Sequence, residues 1–170
     1  MKAPSNAAAL RVHAPAALRA HALAMLDGGG AHARARDVLR GFPRRHADLR
    51  LPGFAHSAWE LLEHLRIAQR DLLHFGLDPD FRSPKWPRGF WPSTPAPASA
   101  SAWQASARAF LADLKACQRL ARDRHVDLLA PLAHSPDTTW FFQLMLVADH
   151  NAYHLGQLMQ LRRALESGAR

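Results

Sequence analysis

The chain has 170 residues, of which 48% are hydrophobic, and its formal net charge is +8. This length supplies one well-buried core but is too short for two domains. No run of 18 apolar residues occurs, and Arg11 and His13 interrupt the short apolar run near the N-terminus. We therefore expect a cytoplasmic protein that neither spans a membrane nor is exported.

The positive charge comes mainly from arginines that are scattered along the chain. A basic surface attracts nucleic acids and other anions. However, the sequence contains no run of five or more basic residues and no nucleic-acid-binding motif. We therefore expect a solvated, arginine-rich surface, and nucleic acid is the least favoured class of partner.

The first long helix is predicted from Pro15 to about Asp27. Proline suits the first turn of a helix, an apolar stripe follows at Leu18, Ala22 and Met25, and the glycine run 28–30 ends the helix. A weaker helix is predicted at about residues 32–41. The single domain is expected to cover residues 15–166, with residues 1–14 forming a flexible N-terminal segment.

The second long helix is marked by a capping box, in which Ser57 and Glu60 satisfy each other's free backbone N–H groups. It is predicted to run to about Phe75. His64 lies inside the apolar stripe of this helix, and the stripe consists of Leu61, Leu65, Ala68, Leu72 and Phe75.

The segment 76–100 separates the second and third long helices. It contains six prolines and the aromatic residues Phe81, Trp86, Phe90 and Trp91, so it is neither helical nor a floppy linker. We expect an ordered loop that packs on the helices. The alternative is that this loop covers a pocket between the helices, with Lys85 or Arg88 meeting an anionic group.

The third long helix is predicted at about 101–123. Its apolar positions are Trp103, Ala107, Phe110, Leu114, Cys117 and Ala121. The lone cysteine therefore falls where a small buried side chain is the commoner role. Four long helices with such stripes predict an all-α fold of antiparallel neighbours.

The fourth long helix is predicted to begin with Ser135 as N-cap, followed by Pro136 and Asp137, and to end near Glu166. Its inward line carries two imidazoles among apolar residues. The line consists of Trp140, Val147, His150, His154, Leu158, Leu161 and Leu165.

His150 and His154 are spaced i, i+4, so both ring nitrogens can reach one ion. The chain has 11 histidines, and such a pair is therefore not specific by itself. His64 lies at a comparable depth on the second helix, and three buried imidazoles without partners would leave polar atoms unsatisfied. A metal bound by all three and a set of hydrogen-bonded core histidines are the two interpretations that the residues leave open.

Two segments resemble the DinB/YfiT-like superfamily: 59–65, which reads Trp-Glu-Leu-Leu-Glu-His-Leu, and 149–157, which reads Asp-His-Asn-Ala-Tyr-His-Leu-Gly-Gln. The resemblance covers about residues 15 to 165. It implies a four-helix bundle of up-down-down-up connectivity, often dimeric, with a metal held by His64, His150 and His154. Members with assigned activities include thiol-dependent S-transferases and isomerases that use low-molecular-weight thiols, while others have no known substrate.

Three imidazoles leave one ligand position open on zinc, or more on nickel, manganese or iron, which favours a catalytic over a structural metal. We expect zinc or nickel first. Candidates for a catalytic role are His32, Glu60 and Tyr153, and candidates for orienting the imidazoles are Glu60, Asp149, Tyr153 and Gln157. Asp71 is expected to pair with an arginine across the helices.

The leading functional hypothesis is a metal-dependent enzyme of thiol-dependent S-transferase or hydrolase type, with a small-molecule substrate. The alternative is a non-catalytic metal-binding or stress-response protein. Nucleic-acid binding ranks last, because only the net charge favours it. A homodimer is expected only through the resemblance.

Overall fold

The computed structural model describes residues 6–99 and 101–168, with side chains from residue 15 onward. These residues form five α-helices and one two-stranded antiparallel sheet. In chain order the elements are α1 (Asn6–Asp27), α2 (Ala35–Arg40), α3 (Ala58–Leu77), α4 (Ala102–Arg122), β1 (Pro131–Leu132), β2 (Ser135–Thr139) and α5 (Trp140–Glu166). Short 3-10 helices lie at Arg44–His46 and Arg88–Phe90. The fold is thus mostly helical, as predicted, and the small sheet is an addition to the all-α expectation.

The four long helices pack in a closed order. The helix α1 packs against α4 and α5, and α3 packs against the same two helices. Their inward faces share one hydrophobic core, whose largest fully buried side chains include Phe110, Leu61, Leu65, Leu144 and Leu158. Each such side chain contributes about 1.5–3 kcal/mol when it is removed from water. The α3–α5 contact matters most here, because it brings the predicted histidines together.

The first helix begins earlier than predicted. It starts at Asn6, so Pro15 lies inside the helix and not in its first turn. The preceding residues are rich in alanine, which favours a helix strongly enough to offset the missing proline N–H. Residues 6–14 of the segment that we expected to be flexible therefore belong to α1, and residues 1–5 lie outside the described residues.

The end of α1 is as predicted, but one residue of its predicted apolar stripe, Met25, does not face the core. Gly28 follows the helix with a φ of 66°, a left-handed conformation that glycine adopts without steric cost. Met25 is 56% exposed, and Leu26, at 5%, occupies the core position. Ala22 and Leu26 thus form the i, i+4 pair that faces the core.

The predictions for the two central helices are confirmed to within a few residues. At the start of α3, the Glu60 backbone N–H donates to Ser57 Oγ at 3.2 Å, and the Ser57 N–H donates to Glu60 Oε2 at 2.8 Å. These two bonds are the predicted capping box. The helix α4 buries Trp103, Phe110 and Cys117 on its predicted stripe.

The predicted start of the last helix is wrong, because α5 begins at Trp140 and not after Ser135. Residues 135–139 form β2, which pairs with β1 through Pro131 opposite Thr139 and Leu132 opposite Ser135. The true N-cap of α5 is Thr139, whose hydroxyl accepts the Phe142 backbone N–H at 3.1 Å. Serine, proline and aspartate favour turns as much as helix starts, so their local pattern did not reveal the strand.

None of the described helices combines the length and the apolar character that crossing a bilayer requires.

Candidate metal centre

Three histidines meet where α3 packs against α5. His64 comes from α3, and His150 and His154 come from α5. One nitrogen from each of the three lies within 4.8 Å of the other two. The ring centroids are 4.9 Å apart for His64 and His150, and 4.6 Å apart for each of the other two pairs. The predicted proximity of these three residues is therefore confirmed, and we call them the histidine cluster.

The orientation of His64 is fixed by the loop that follows α3. Its Nδ1 lies 2.7 Å from the Phe90 carbonyl oxygen, so Nδ1–H donates to that carbonyl. A neutral imidazole carries only one ring proton, which leaves the Nε2 lone pair of His64 free. That atom faces Nε2 of His150 at 3.1 Å.

The second orienting contact comes from within α5. Nδ1 of His154 donates to Oε1 of Gln157 at 2.8 Å. This bond leaves the Nε2 lone pair of His154 free, as for His64. Gln157 thus has the orienting contact that the sequence predicted for it.

The spacing and the donor set fit a divalent ion. Two nitrogens bound about 2.0 Å from a tetrahedral zinc would lie about 3.3 Å apart, close to the 3.1 Å between His64 and His150. The alternative explanation of this distance is a hydrogen bond donated by Nε2 of His150. In either case Nδ1 of His150 is a buried nitrogen without a hydrogen-bond partner.

All three imidazoles are held in the neutral form. Burial lowers the pKa of His64 and of His154, although a hydrogen bond to each opposes the shift. Burial, followed by the repulsion that protonated His154 and His64 would exert, lowers the pKa of His150 to about 3. Neutral imidazole is the form that binds a metal, so at neutral pH no proton has to leave the cluster first.

The loop between α3 and α4 covers one side of the cluster. The Trp91 ring stacks on the His64 ring with centroids 4.1 Å apart and an interplanar angle of 7°. Together with the Phe90 carbonyl, this contact shows that the loop is ordered and lies over the cluster, which was the alternative role predicted for it. Lys85 and Arg88 are exposed.

His56, which directly precedes the capping-box residue Ser57, lies outside the cluster. It stacks on Trp91 with centroids 4.0 Å apart, and the same tryptophan stacks on His64. Its charge nevertheless lowers the pKa of His64 and of His154. His56 therefore belongs to the surroundings of the cluster.

The three catalytic candidates have different positions. Nδ1 of His32 lies 3.0 Å from the Ala33 carbonyl oxygen, and His32 is not part of the cluster. The Tyr153 ring lies edge-on to His154 with centroids 4.8 Å apart, and the side chain is 65% exposed. Only Tyr153 touches the cluster directly.

Glu60, the third candidate, is held by other groups. Its carboxylate accepts two hydrogen bonds from Arg50, one of them at 3.0 Å, and one from the Ser57 backbone. Burial raises the pKa of Glu60, but the bonds from Arg50 and Ser57 outweigh it, so the net shift is downward. The structure does not bring Glu60 together with the histidines, and Asp149 is exposed.

The expectation that Asp71 pairs with an arginine is wrong. Among the described residues, no ion pair includes Asp71, and its hydrogen-bonding neighbour is Ser83 in the loop after α3. Its Oδ1 is buried without a partner. Burial raises the pKa of Asp71, against the effect of Ser83. Asp71 is thus bonded to the loop through Ser83 and not to an arginine.

A buried amide pair next to the cluster was missed. Nδ2 of Asn151 donates to Oε1 of Gln69 at 2.8 Å, and Nε2 of Gln69 donates to the Phe110 carbonyl at 2.7 Å. Both amide side chains are buried. This chain of bonds joins α5, α3 and α4 directly beside His150. Two amide residues on opposing apolar stripes were the signal that could have revealed it.

A cleft of about 510 Å³ is lined by Tyr153 and Gln157, which both contact His154. Its other lining residues are Gly53, Phe54, Ala55, His56, Leu61, Gly156 and Gln160. Its volume is typical of small-molecule sites. The lining contains no Asp, Glu, Lys or Arg side chain, and its one ionisable imidazole is that of His56.

The chain matches no protein-family model, no curated protein and no solved structure. The roles of the residues described above therefore depend on their geometry, and the resemblance to the DinB/YfiT-like superfamily stays a prediction.

Proposed function

We propose that the chain is a DinB/YfiT-like metalloenzyme that binds one divalent ion through His64, His150 and His154. Zinc or nickel is the first choice, because neutral imidazoles suit both ions, and manganese or iron are the alternatives. The observation that carries the proposal is the convergence of three neutral imidazoles, two of which have Nδ1 bonded and Nε2 free. The reaction class we propose is thiol-dependent S-transfer or hydrolysis.

The arrangement of helices supports the up-down-down-up connectivity within this proposal. The helix α3 has 20 residues and is therefore about 30 Å long. The segment between α3 and α4 is long enough to return along the whole length of α3, so that α4 can run parallel to it. A short turn would have required an antiparallel neighbour.

A divalent ion held by three imidazoles supplies a Lewis-acid position at which a thiol or water becomes a better nucleophile near neutral pH. The residues of this chain orient and shield that position. The Phe90 carbonyl and Gln157 hold the rings of His64 and His154 by their Nδ1–H groups. Trp91 excludes water from one face of His64.

The donor set supports a catalytic role better than a structural one. Structural zinc normally has four protein ligands, often cysteines. Among the described residues, the metal-binding group has three members, and Cys117 is 1% exposed on α4 with its pKa raised to about 12 by burial. An ion in the cluster would keep an open ligand position.

The cleft next to Tyr153 and Gln157 is the place where we expect a substrate to bind. Its lining combines the apolar side chains of Phe54 and Leu61 with the polar Tyr153 and Gln157, which suits a small molecule with an apolar part. A low-molecular-weight thiol is the co-substrate that the family resemblance implies. Tyr153 is positioned to contact it, because its side chain lines the cleft and its ring touches His154.

A non-catalytic metal-binding protein is the second candidate. The observation that favours it is burial, since His64 is 4% and His154 is 8% exposed, and Trp91 covers the cluster further. Such a site would hold an ion tightly without presenting it to a substrate.

Metal analysis followed by a thiol-transfer screen tests the proposal. Purified protein should contain about one divalent ion per chain, and His150→Ala or His154→Ala should remove it. The loaded protein is then assayed with several small thiols and electrophiles, with the metal-free His154→Ala variant as control. Wild-type protein that neither contains nor takes up zinc, nickel or manganese would refute the metal centre. Metal-loaded protein that shows neither transfer nor hydrolysis would refute the enzyme and favour the non-catalytic metal-binding protein.

A further inference from the structure

A second cavity lies away from the histidine cluster. It has a volume of about 530 Å³ and is lined by the end of α1, the start of α2 and the outer face of α4. Its lining consists of Asp27, Arg34, Ala35, Arg36, Arg108, Leu111, Ala112, Leu114, Lys115 and Gln118. Neither α3 nor α5 contributes to it, so the cavity is separate from the proposed metal centre. Its size is in the range of small-molecule sites.

The α4 side of this cavity combines two cations with an apolar strip. Arg108 and Lys115 are seven residues apart, which places them about 10 Å apart along the helix axis. Leu111 and Ala112 lie between them on the same face, and Leu114 adds apolar surface at the buried edge. A molecule lying along this face would meet a cation at each end and apolar side chains in the middle.

The lining carries a surplus of positive charge. Four cationic side chains face the cavity against one carboxylate, Asp27, which is already bonded to Arg34 at 2.9 Å. Among the described residues, Arg108 and Lys115 have no acidic partner within ion-pair distance. These two side chains are therefore available to an external anion.

A neighbouring cavity of about 410 Å³ extends the same surface. The two cavities share Arg36, Arg108 and Leu111, and the second adds Arg40, Arg44 and the edge of Trp103. Arg108 thus stands at the junction of two concave regions that have the same chemical character. We call the combined surface the α4 basic groove.

We infer that the α4 basic groove binds a small organic anion with an apolar or aromatic body. Guanidinium groups bind carboxylate, sulfonate or phosphate ester oxygens through paired hydrogen bonds, and Arg108 is the side chain best placed to do so. Leu111, Ala112 and Leu114 contribute apolar contact to the body of the ligand. A simple inorganic anion would leave this apolar strip exposed to water.

The probe for the test is 8-anilinonaphthalene-1-sulfonate, which carries one sulfonate on an aromatic body and fluoresces when it leaves water. The protein as purified is titrated at about physiological ionic strength, where weak surface attraction is largely screened. We expect one saturable site. The double variant Arg108→Gln, Lys115→Gln should bind at least about tenfold more weakly, because charge-assisted hydrogen bonds are lost.

Two further variants separate the groove from general charge and from folding. Ala112→Trp fills the groove at an exposed position of α4, and it should weaken binding to a similar extent. Arg70→Gln removes an exposed arginine of α3 and should leave the affinity within about twofold. Circular dichroism and thermal unfolding verify that each variant is folded.

The proposal is overturned if wild type shows no saturable binding, or if the double variant and Ala112→Trp bind as wild type does. In the latter case the probe occupies another apolar surface. Competition with inorganic phosphate and with a short DNA duplex tests the class of ligand. If either displaces the probe as effectively as an aromatic carboxylate such as naphthoate does, a small anion with an apolar body is the wrong class.

Discussion

Replacing His64 by alanine tests the one proposed metal ligand that does not come from α5. His150 and His154 are close together because both lie on α5, one turn apart. His64 is brought to them only because α3 packs against α5. The change removes a nitrogen that lies 3.1 Å from His150 Nε2. A site with two protein ligands remains, and we expect metal affinity to fall at least about tenfold, or about 1.4 kcal/mol.

The same substitution also affects the loop. The Phe90 carbonyl loses its donor and Trp91 loses a stacked ring, so metal-free protein should lose about 1–3 kcal/mol of unfolding free energy. This loss has to be measured separately by urea denaturation without metal. Otherwise a general loss of stability could be mistaken for a lost ligand.

His56→Ala is the matched control, because His56 stacks on the same tryptophan. Both variants take an imidazole away from Trp91, but only His64→Ala removes a nitrogen from the cluster. The two metal affinities are measured by competition with a chromophoric chelator at pH 7.5. The assignment is refuted if the His56 variant loses the metal while the His64 variant keeps it within about twofold of wild type.

Three further predictions concern the surroundings of the cluster and α5. Gln157→Ala should lower metal affinity by about tenfold or more in the same chelator assay, because the imidazole it orients becomes free to rotate, and an unchanged affinity would contradict that role. The pKa of His150 is near 6.5 in the unfolded chain but about 3 in the folded protein, so below pH 6.5 the unfolded chain binds more protons. Metal-free protein should therefore lose stability as the pH falls from 7 to 5. Urea midpoints that stay constant over this range would contradict the prediction. Gly156→Ala should raise the free energy of unfolding by up to about 1 kcal/mol, because nothing lies within 4 Å of the added Cβ. Gly76→Ala should lower the free energy of unfolding, because its Cβ would come within 2.4 Å of the Trp140 ring. Thermal unfolding of both variants measures the two signs.

The sequence predicts those parts of the fold whose signals are local or periodic. The capping box at Ser57 and Glu60 places the start of α3 correctly, because both partners lie within one turn. The apolar stripe that contains His64 likewise predicts that this side chain is buried, and it is 4% exposed. The sheet could not be predicted in this way, since the pairing of Leu132 with Ser135 depends on contacts that give no helical period.

The surroundings of the cluster were harder to predict than its histidines. Trp91 and the Phe90 carbonyl belong to an irregular loop, in which no period indicates the direction of a side chain. The bond from Asn151 to Gln69 needs the relative rotation of α3 and α5, which spacing along one helix does not determine. The three ligand candidates were predictable because each lies on an apolar helix face.

If the histidine cluster binds an ion as proposed, the loop that covers it links ion binding to the order of the loop. The Phe90 carbonyl and the Trp91 ring orient His64 only while the loop is closed, so an ion bound by all three histidines favours the closed loop. Such linkage is reciprocal. The factor by which the bound ion raises the equilibrium constant for loop closure equals the factor by which loop closure raises the affinity for the ion. Cleavage by a protease within the loop should therefore slow as the ion is titrated in, and its rate would report occupancy of the cluster without any knowledge of the substrate.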